Sequence, residues 1–346
     1  MADVHLALPN GRVFSYPELT PSRLLDEKAA GYVGAACDDW LLFHDAGGLF
    51  RLTSPFIGKT RLLPSFDGIR AHDVPVEIVN EPAPSHRAVE SHAQWRGDDE
   101  TMGVRKVVVC PDGFIAAIFG REHFAKVALC SLETFSWSHS KHDRWRWYDD
   151  LAFFGGRLYA VTAGKDLLGF DVGVDGDTGE PFISRVERVI EGAPYGPRSS
   201  ASAMVHYLLP SGDGALLMVR RRFPHAVGNS LERFTVFRAD LASSRWEEVS
   251  SLGCDQALFV WRLCSRAVRG RRYPLGYQIF FLPDDCAGMS FWEPPRRRAN
   301  HHAAVYGMFD GRVTYLLPRQ PRDDGDGTVP VTWLFPAVAT AREMRR

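Results

Sequence analysis

Long apolar runs are missing from this sequence. No stretch approaches the roughly 18 consecutive apolar residues of a membrane-spanning helix, and runs such as Leu216-Leu217-Met218-Val219 are strand-sized. The first residues alternate apolar with polar positions and carry Pro9, Gly11 and Pro17, so they lack the unbroken apolar core of a secretory signal. Net charge is nearly absent too: 41 Lys and Arg against 42 Asp and Glu leave -1 over 346 residues. That excludes a whole-molecule field drawing the chain onto nucleic acid or an anionic membrane and leaves such contacts to local patches. The 6 cysteines, Cys37, Cys110, Cys130, Cys254, Cys264 and Cys286, contain no C-x-x-C pair, as expected of reduced, buried thiols in the cytoplasm or nucleus. None of Asn10, Asn80, Asn229 and Asn300 has Ser or Thr two positions on, so N-glycosylation acceptors are lacking.

Chemical constellations are equally sparse. No G-x-S-x-G elbow occurs, and no Ser or Cys has a neighbouring His and acid that spacing alone would align, so covalent catalysis has no support. Gly58-Lys59-Thr60 ends like a phosphate loop, but Thr53 stands where its first Gly belongs, Pro55 and Phe56 fill the loop, and no helix pattern follows; a turn between strands is expected. Asp171, Asp175, Gly176, Asp177 and Glu180 imitate a calcium loop with Gly173 and Phe182 at two required ligand positions, which makes a solvated acidic turn the better reading. His139, His142 and Asp143, and the pair His301-His302, are metal-ligand types without ligand spacing. The expectation is a non-enzymatic chain with no cofactor, no metal and no catalytic residue.

What the sequence has in abundance is β signal. A unit recurs: a Gly turn, a run rich in β-branched and aromatic residues, a polar gap, a second run, and often Trp. It begins at Gly113, Gly156, Gly214 and Gly276, at intervals of 43, 58 and 62 residues, near the roughly 40–50 residues of a four-stranded propeller blade. Trp137 and Trp246 follow the second run at matched distances, a kelch-like cadence that predicts burial of both between blades. Gly47-Gly48 between Trp40–Phe43 and Leu49–Leu52, and Asp310-Gly311 between Val305–Phe309 and Val313–Leu316, predict antiparallel hairpins, because tight primed turns need φ > 0. Helical periodicity is weak outside Pro21–Ala30. Four stretches, Asp67–Gly103, Gly173–Ser200, Cys286–Asn300 and Arg319–Thr328, lack strand alternation and predict inserted loops.

These patterns predict an all-β, kelch-like β-propeller of six or seven blades. Residues 1–29 form an N-terminal segment with a short helix and a closing strand, His5–Leu8 or Arg12–Phe14, which pairs with Val331–Phe335. The propeller occupies 30–336, and 337–346 form a frayed tail. The Arg220-Arg221-Arg222 and Arg296-Arg297-Arg298 clusters, with Arg269, Arg271 and Arg272 beside Phe223 and Tyr273, offer a phosphate-contacting alternative.

Segment by segment, the chain resembles the plant KIB-type, F-box-associated β-propeller family, also described as domain of unknown function 295. The resemblance runs through Cys37 with Trp40-Leu41, Leu52, Ser54-Pro55-Phe56, Gly58 and Leu63-Pro64. It continues through Asp150–Phe153, Gly156–Val161, Tyr207-Leu208 and Gly214–Arg220. It is densest over Phe234, Val236–Arg238, Asp240-Leu241, Trp246–Val249, Ser251–Gly253 and Ala257–Phe259. Ile279–Phe281 with Asp284-Asp285, and Trp333 with Pro336, complete it. The usual Ser-His-Gly-Trp of the first unit is replaced by Asp38-Asp39-Trp40, and Ser54 stands for an Asn. The resemblance implies a protein-interaction propeller related to the substrate receptors of ubiquitin ligases. The stretch before Cys37 is too short for the three helices of an F-box, so any ligase association is expected to be indirect and the partner-binding residues unknown. Exposed loops, Asp67–Gly103 and Gly173–Ser200 foremost, are the expected contact regions for an unknown protein partner; binding to nucleic acid ranks second.

Overall fold

Alternation within the central runs dictates the architecture. Along Phe114–Arg121, Ile115 and Ala117 point to one side and Ala116 and Ile118 to the other, and all four are buried. A sheet built on such a strand must be covered on both faces. The computed structural model, an all-β propeller, does this by stacking sheets side by side. It describes residues 4–7, 13–16, 31–37, 40–44, 49–54, 58–81, 103–111, 113–121, 124–192, 204–223, 232–252, 256–269, 277–282, 303–315, 333 and 335.

Strands β1 (Val4–Ala7) and β2 (Val13–Tyr16) form an antiparallel hairpin. Blade I is the meander β3 (Gly31–Cys37), β4 (Trp40–His44), β5 (Phe50–Ser54) and β6 (Lys59–Leu63). A 3-10 turn at Phe66–Gly68 then leads to two three-residue strands, β7 (Arg70–His72) and β8 (Glu77–Val79). Blade II comprises β9 (Gly103–Val109), β10 (Phe114–Arg121), β11 (Phe124–Ser131) and β12 (Ser136–Ser140). Blade III comprises β13 (Tyr148–Phe154), β14 (Arg157–Thr162), β15 (Leu167–Val174) and β16 (Pro181–Ile190). Blade IV is β17 (Met204–Pro210), β18 (Leu216–Arg222), β19 (Arg233–Asp240) and β20 (Arg245–Val249). Blade V holds β21 (Gln256–Val260), β22 (Arg266–Arg269), β23 (Gln278–Phe281), β24 (Ala304–Gly307) and β25 (Val313–Tyr315), ordered β22-β21-β23-β24-β25 with β21 and β23 parallel.

The innermost strands β3, β9, β13, β17 and β22 follow one another around the fold, and each seam has its own apolar cluster. Leu42, Leu52 and Leu63 meet Val107, Ile115 and Trp137 between blades I and II. Val108, Ala116 and Ile118 meet Leu151, Leu158 and Phe170 between II and III. Leu208, Leu216 and Met218 pack on Ala152, Val161 and Leu167 between III and IV. Tyr207, Leu217 and Val219 pack on Leu258, Ile279 and Tyr306 between IV and V. Neighbouring residues of one strand thus serve different seams, as period-two geometry requires.

Several expectations change. Among the described residues there are five blades, not six or seven: three of them carry a fifth strand, and those strands use length that equal spacing would assign to further blades. The stretch from Asp67 is, in its described part, a strap across two blade edges, with β7 pairing parallel to β12 and β8 parallel to β16. Most of the described part of Gly173–Ser200 is strand, the hairpin of β15 and β16. The closing strands β1 and β2 pair with each other, while Trp333 and Phe335 pack on Phe259 of blade V. The helix at 21–30, the loops 286–300 and 319–328 and the tail 337–346 lie outside the described residues. Both hairpins read from the Gly turns are present, as β4–β5 and β24–β25.

Trp137 is buried, stacks on Phe66 at 4.2 Å between ring centroids and donates its indole N–H to the Pro64 carbonyl at 2.9 Å. Trp246 is only half-buried and donates to the Lys165 carbonyl of blade III at 2.8 Å. Trp137→Ala is expected to cost about 3–5 kcal/mol in urea unfolding, and Trp246→Ala distinctly less; an equal loss at the two positions would contradict this seam packing.

Candidate interaction surface

Charged side chains enter the seams in places that the apolar pattern leaves vacant. Strand β13 carries Asp149-Asp150 in an otherwise apolar run, and a bulge in its pairing with β14 at this point turns both toward a neighbour. The Asp150 carboxylate meets Lys106 Nζ of blade II at 2.9 Å and accepts the Leu208 amide of blade IV at 2.8 Å. Burial pushes the Asp150 carboxyl up from its ordinary value, against the pull of Lys106 and of the Leu208 and Leu151 amides. Asp149 Oδ2 accepts the His206 amide at 3.2 Å and lies 2.7 Å from His206 Nδ1. Two adjacent carboxylates therefore tie three consecutive blades together.

The strap is held in the same manner. Arg146 Nε and Nη2 donate to the two Glu81 oxygens at 2.9 and 2.6 Å, and Nη1 donates to Asp143 at 2.7 Å and the Tyr148 hydroxyl at 3.1 Å. These carboxylates hold the guanidinium charged despite its burial, and burial raises the Tyr148 phenol above its ordinary range. Asp73 takes Lys141 at 2.9 Å and His142 at 2.8 Å, which hold its carboxyl low.

These bonds disperse the metal-type residues. His142 goes to Asp73 and Asp143 to Arg146, while His139 lies near Phe119 and Trp145, its pKa lowered to about 4 by burial and then by Lys126. Asp171 is taken by Arg157 at 2.7 Å and Glu180 by Arg70 at 2.8 Å; Lys59 opens strand β6. His301-His302 lie outside the described residues. Cys110, Cys130 and Cys264 are buried, and burial pushes the Cys130 thiol up to about 12.

The basic cluster at 220–222 is not a loop but the end of β18. Arg221 shares parity with Leu217 and Val219, so it points into the seam with blade V, where it is 1% exposed. Its guanidinium donates to the Leu282 carbonyl at 2.9 Å, meets both Glu232 oxygens at 3.1 Å, and lies 4.6 Å from the ring centroids of Phe223 and Phe281. Arg220 stacks on Phe237 at 4.9 Å and donates to Thr235. Of the three, Arg222 alone is exposed; Arg269 is exposed at the end of β22, and Arg271, Arg272, Tyr273 and 296–298 lie outside the described residues.

With the seams closed, the chain meets its surroundings at the blade ends. In an antiparallel meander the first and third turns fall at one end and the second at the other. The Lys106–Asp150–Leu208 chain fixes blades II, III and IV in one orientation. Ser211 Oγ bonds Gln256 Oε1 at 3.0 Å, placing the start of β21 beside the first turn of blade IV, so β24 returns to that end. One face therefore includes the short turns at 132–135, 155–156, 175–180, 211–215, 241–244 and 308–312. Around it the large apolar side chains Phe135, Val174, Leu241 and Phe309 are exposed, at 45%, 67%, 37% and 86%.

A model of the KIB1-4 beta-propeller family matches residues 13–310. Among solved structures, the chain is similar to the Dos1 propeller at 11% identity and a TM-score of 0.33; the match covers 67% of this chain and 54% of that one, about half of its length. BamB from Moraxella catarrhalis is similar at 10% identity and a TM-score of 0.17, over 59% and 67% of the two chains. No match was found among curated proteins. Likeness to solved structures at these scores carries no weight for fold or function.

Arg221→Ala is expected to cost about 3–5 kcal/mol, because Glu232 and the Leu282 carbonyl lose a buried partner. Arg222→Ala should stay within about 0.5 kcal/mol. Paired urea titrations check this; a similar loss for both variants would place Arg221 at the surface.

Proposed function

The chain belongs to the KIB1-4 beta-propeller family, and from that membership we propose a non-enzymatic protein-interaction propeller, serving as a substrate-recognition module related to F-box ubiquitin-ligase receptors. The observation that carries the reading is the use made of the interior charges. Lys106, Asp149, Asp150, His206, Arg146 and Arg221 are each bonded within or across the seams, while exposed apolar side chains collect at the turn face. Exposed apolar surface of this kind suits a protein contact, with a few anchors inside a polar rim. The half-buried and buried fourth-strand tryptophans, Trp246 and Trp137, are read as a kelch-like trait.

Phosphate binding by Arg220–Arg222 is the second reading, and the burial of Arg221 counts against it. The two predict opposite salt responses, since phosphate contacts release counterions and weaken log-linearly with salt. Affinity purification from native tissue at low and high salt, with and without nuclease, is expected to retain protein partners in every arm. Partners lost entirely on nuclease treatment would favour the nucleic-acid reading.

A further inference from the structure

The third turns of blades II and IV are built alike, as four residues ending in one with left-handed backbone. In blade II that residue is Phe135, φ 47°; in blade IV it is Ser244, φ 52°. A bulky side chain is strained in this region, and blade IV shows that the turn forms with a small polar one. Packing gives no reason for Phe135 either, since it is 45% exposed. A strained, exposed aromatic that the fold does not need marks a surface shaped for something outside the chain.

Val174 ends the strand that leads into the neighbouring turn, the third of blade III. The turns of blades II and III touch, with Ser136 Oγ donating to Glu180 Oε1 at 2.9 Å, and a Cβ placed on Gly179 would lie 3.9 Å from Glu133 Oε2. Val174, at the end of β15 opposite Pro181, is exposed on the same side.

Charge defines what these two side chains can accept. The turns of this face at 132–135, 155–156, 175–180, 211–215, 241–244 and 308–312 hold Glu133, Asp175, Asp177, Glu180, Asp213 and Asp310 against the single base Arg312. Arg70, Arg238 and Arg312 reach Glu180, Asp213 and Asp310. Glu133, Asp175 and Asp177, the three acids around Phe135 and Val174, make no ion pair among the described residues. Asp175 accepts the Asp177 and Thr178 amides and the Thr178 hydroxyl, which hold its carboxyl below the usual range and so keep it charged.

We propose that the third turns of blades II and III form a docking patch for a basic segment of a partner protein, its apolar side chains seated on Phe135 and Val174 and its Lys or Arg side chains facing Glu133, Asp175 and Asp177. This rests on the protein-interaction reading and names the chemistry of the partner.

The test is a phage-displayed library of random 12-residue peptides panned against the full chain, with selected peptides then titrated by fluorescence anisotropy. Selected peptides are expected to combine Lys or Arg with Leu, Ile or aromatic residues. Phe135→Ser, which installs the residue that blade IV uses, should weaken them about tenfold or more. The pair Glu133→Lys and Asp177→Lys should do the same, with circular dichroism unchanged. Acidic or neutral selected peptides, or basic ones indifferent to all three substitutions, would overturn the proposal and leave the interaction reading standing. Partners recovered by affinity purification that survive Phe135→Ser would do likewise. No selected peptide and no recovered partner would overturn both.

Discussion

Every central strand of this protein has to bury both of its faces, and most of the structure follows from that constraint. A sheet buried on two sides cannot be closed by one layer of helices or by solvent; it needs a neighbour on each side, and here the neighbour is another sheet. Odd and even residues of β10 or β18 therefore belong to different seams. A charge placed in such a strand has no route to water and must find its counterpart across the seam. Asp150 with Lys106 and the Leu208 amide, and Arg221 with Glu232 and the Leu282 carbonyl, are the results. Their burial is the same constraint acting on residues that are not apolar.

Much of the fold was legible because its signals are local. Gly47-Gly48 between two such runs, and Asp310-Gly311 between two more, encode hairpins within a few residues, and both hairpins are present. The strap was not legible. Arg70–His72 and Glu77–Val79 are too short to show alternation, flank Pro75, and owe their extended form to parallel edges of β12 and β16 far along the chain. The blade count failed for a related reason, since spacing between turns does not show which strands leave their own blade. At the candidate surface, Arg221 illustrates what periodicity holds and composition hides. Three consecutive arginines look like a solvated patch, yet counting by twos from Leu217 and Val219 places the middle one in the seam. The Asp149-Asp150 doublet in an apolar strand was a comparable signal. The meeting of the turns near Phe135 and Val174 had no counterpart in sequence, because the adjacency of two turns is set by blade stacking.

The division of labour that emerges is spatial. Seams pair several ionisable groups of the interior with one another, and the polar surface is left to the blade ends. There a molecule that is almost neutral overall becomes locally uneven, with acids in the majority among the described turns of one face. Electrostatic unevenness of this sort influences encounter rate and partner choice more than raw affinity, which depends on the apolar anchors.

The strap also sets an order of assembly. Synthesis proceeds from the N-terminus, so Arg70–His72 and Glu77–Val79 leave the ribosome before the strands that will receive them, β12 and β16, exist. The first remains unpaired until residue 140 has emerged and the second until residue 190, and seating them closes long loops, an entropic cost met only when the receiving edges are complete. Blade IV, whose four strands are consecutive, closes without waiting. Blades II and III instead mature together, two separately synthesised meanders made into one cooperative unit by a segment that was translated before either.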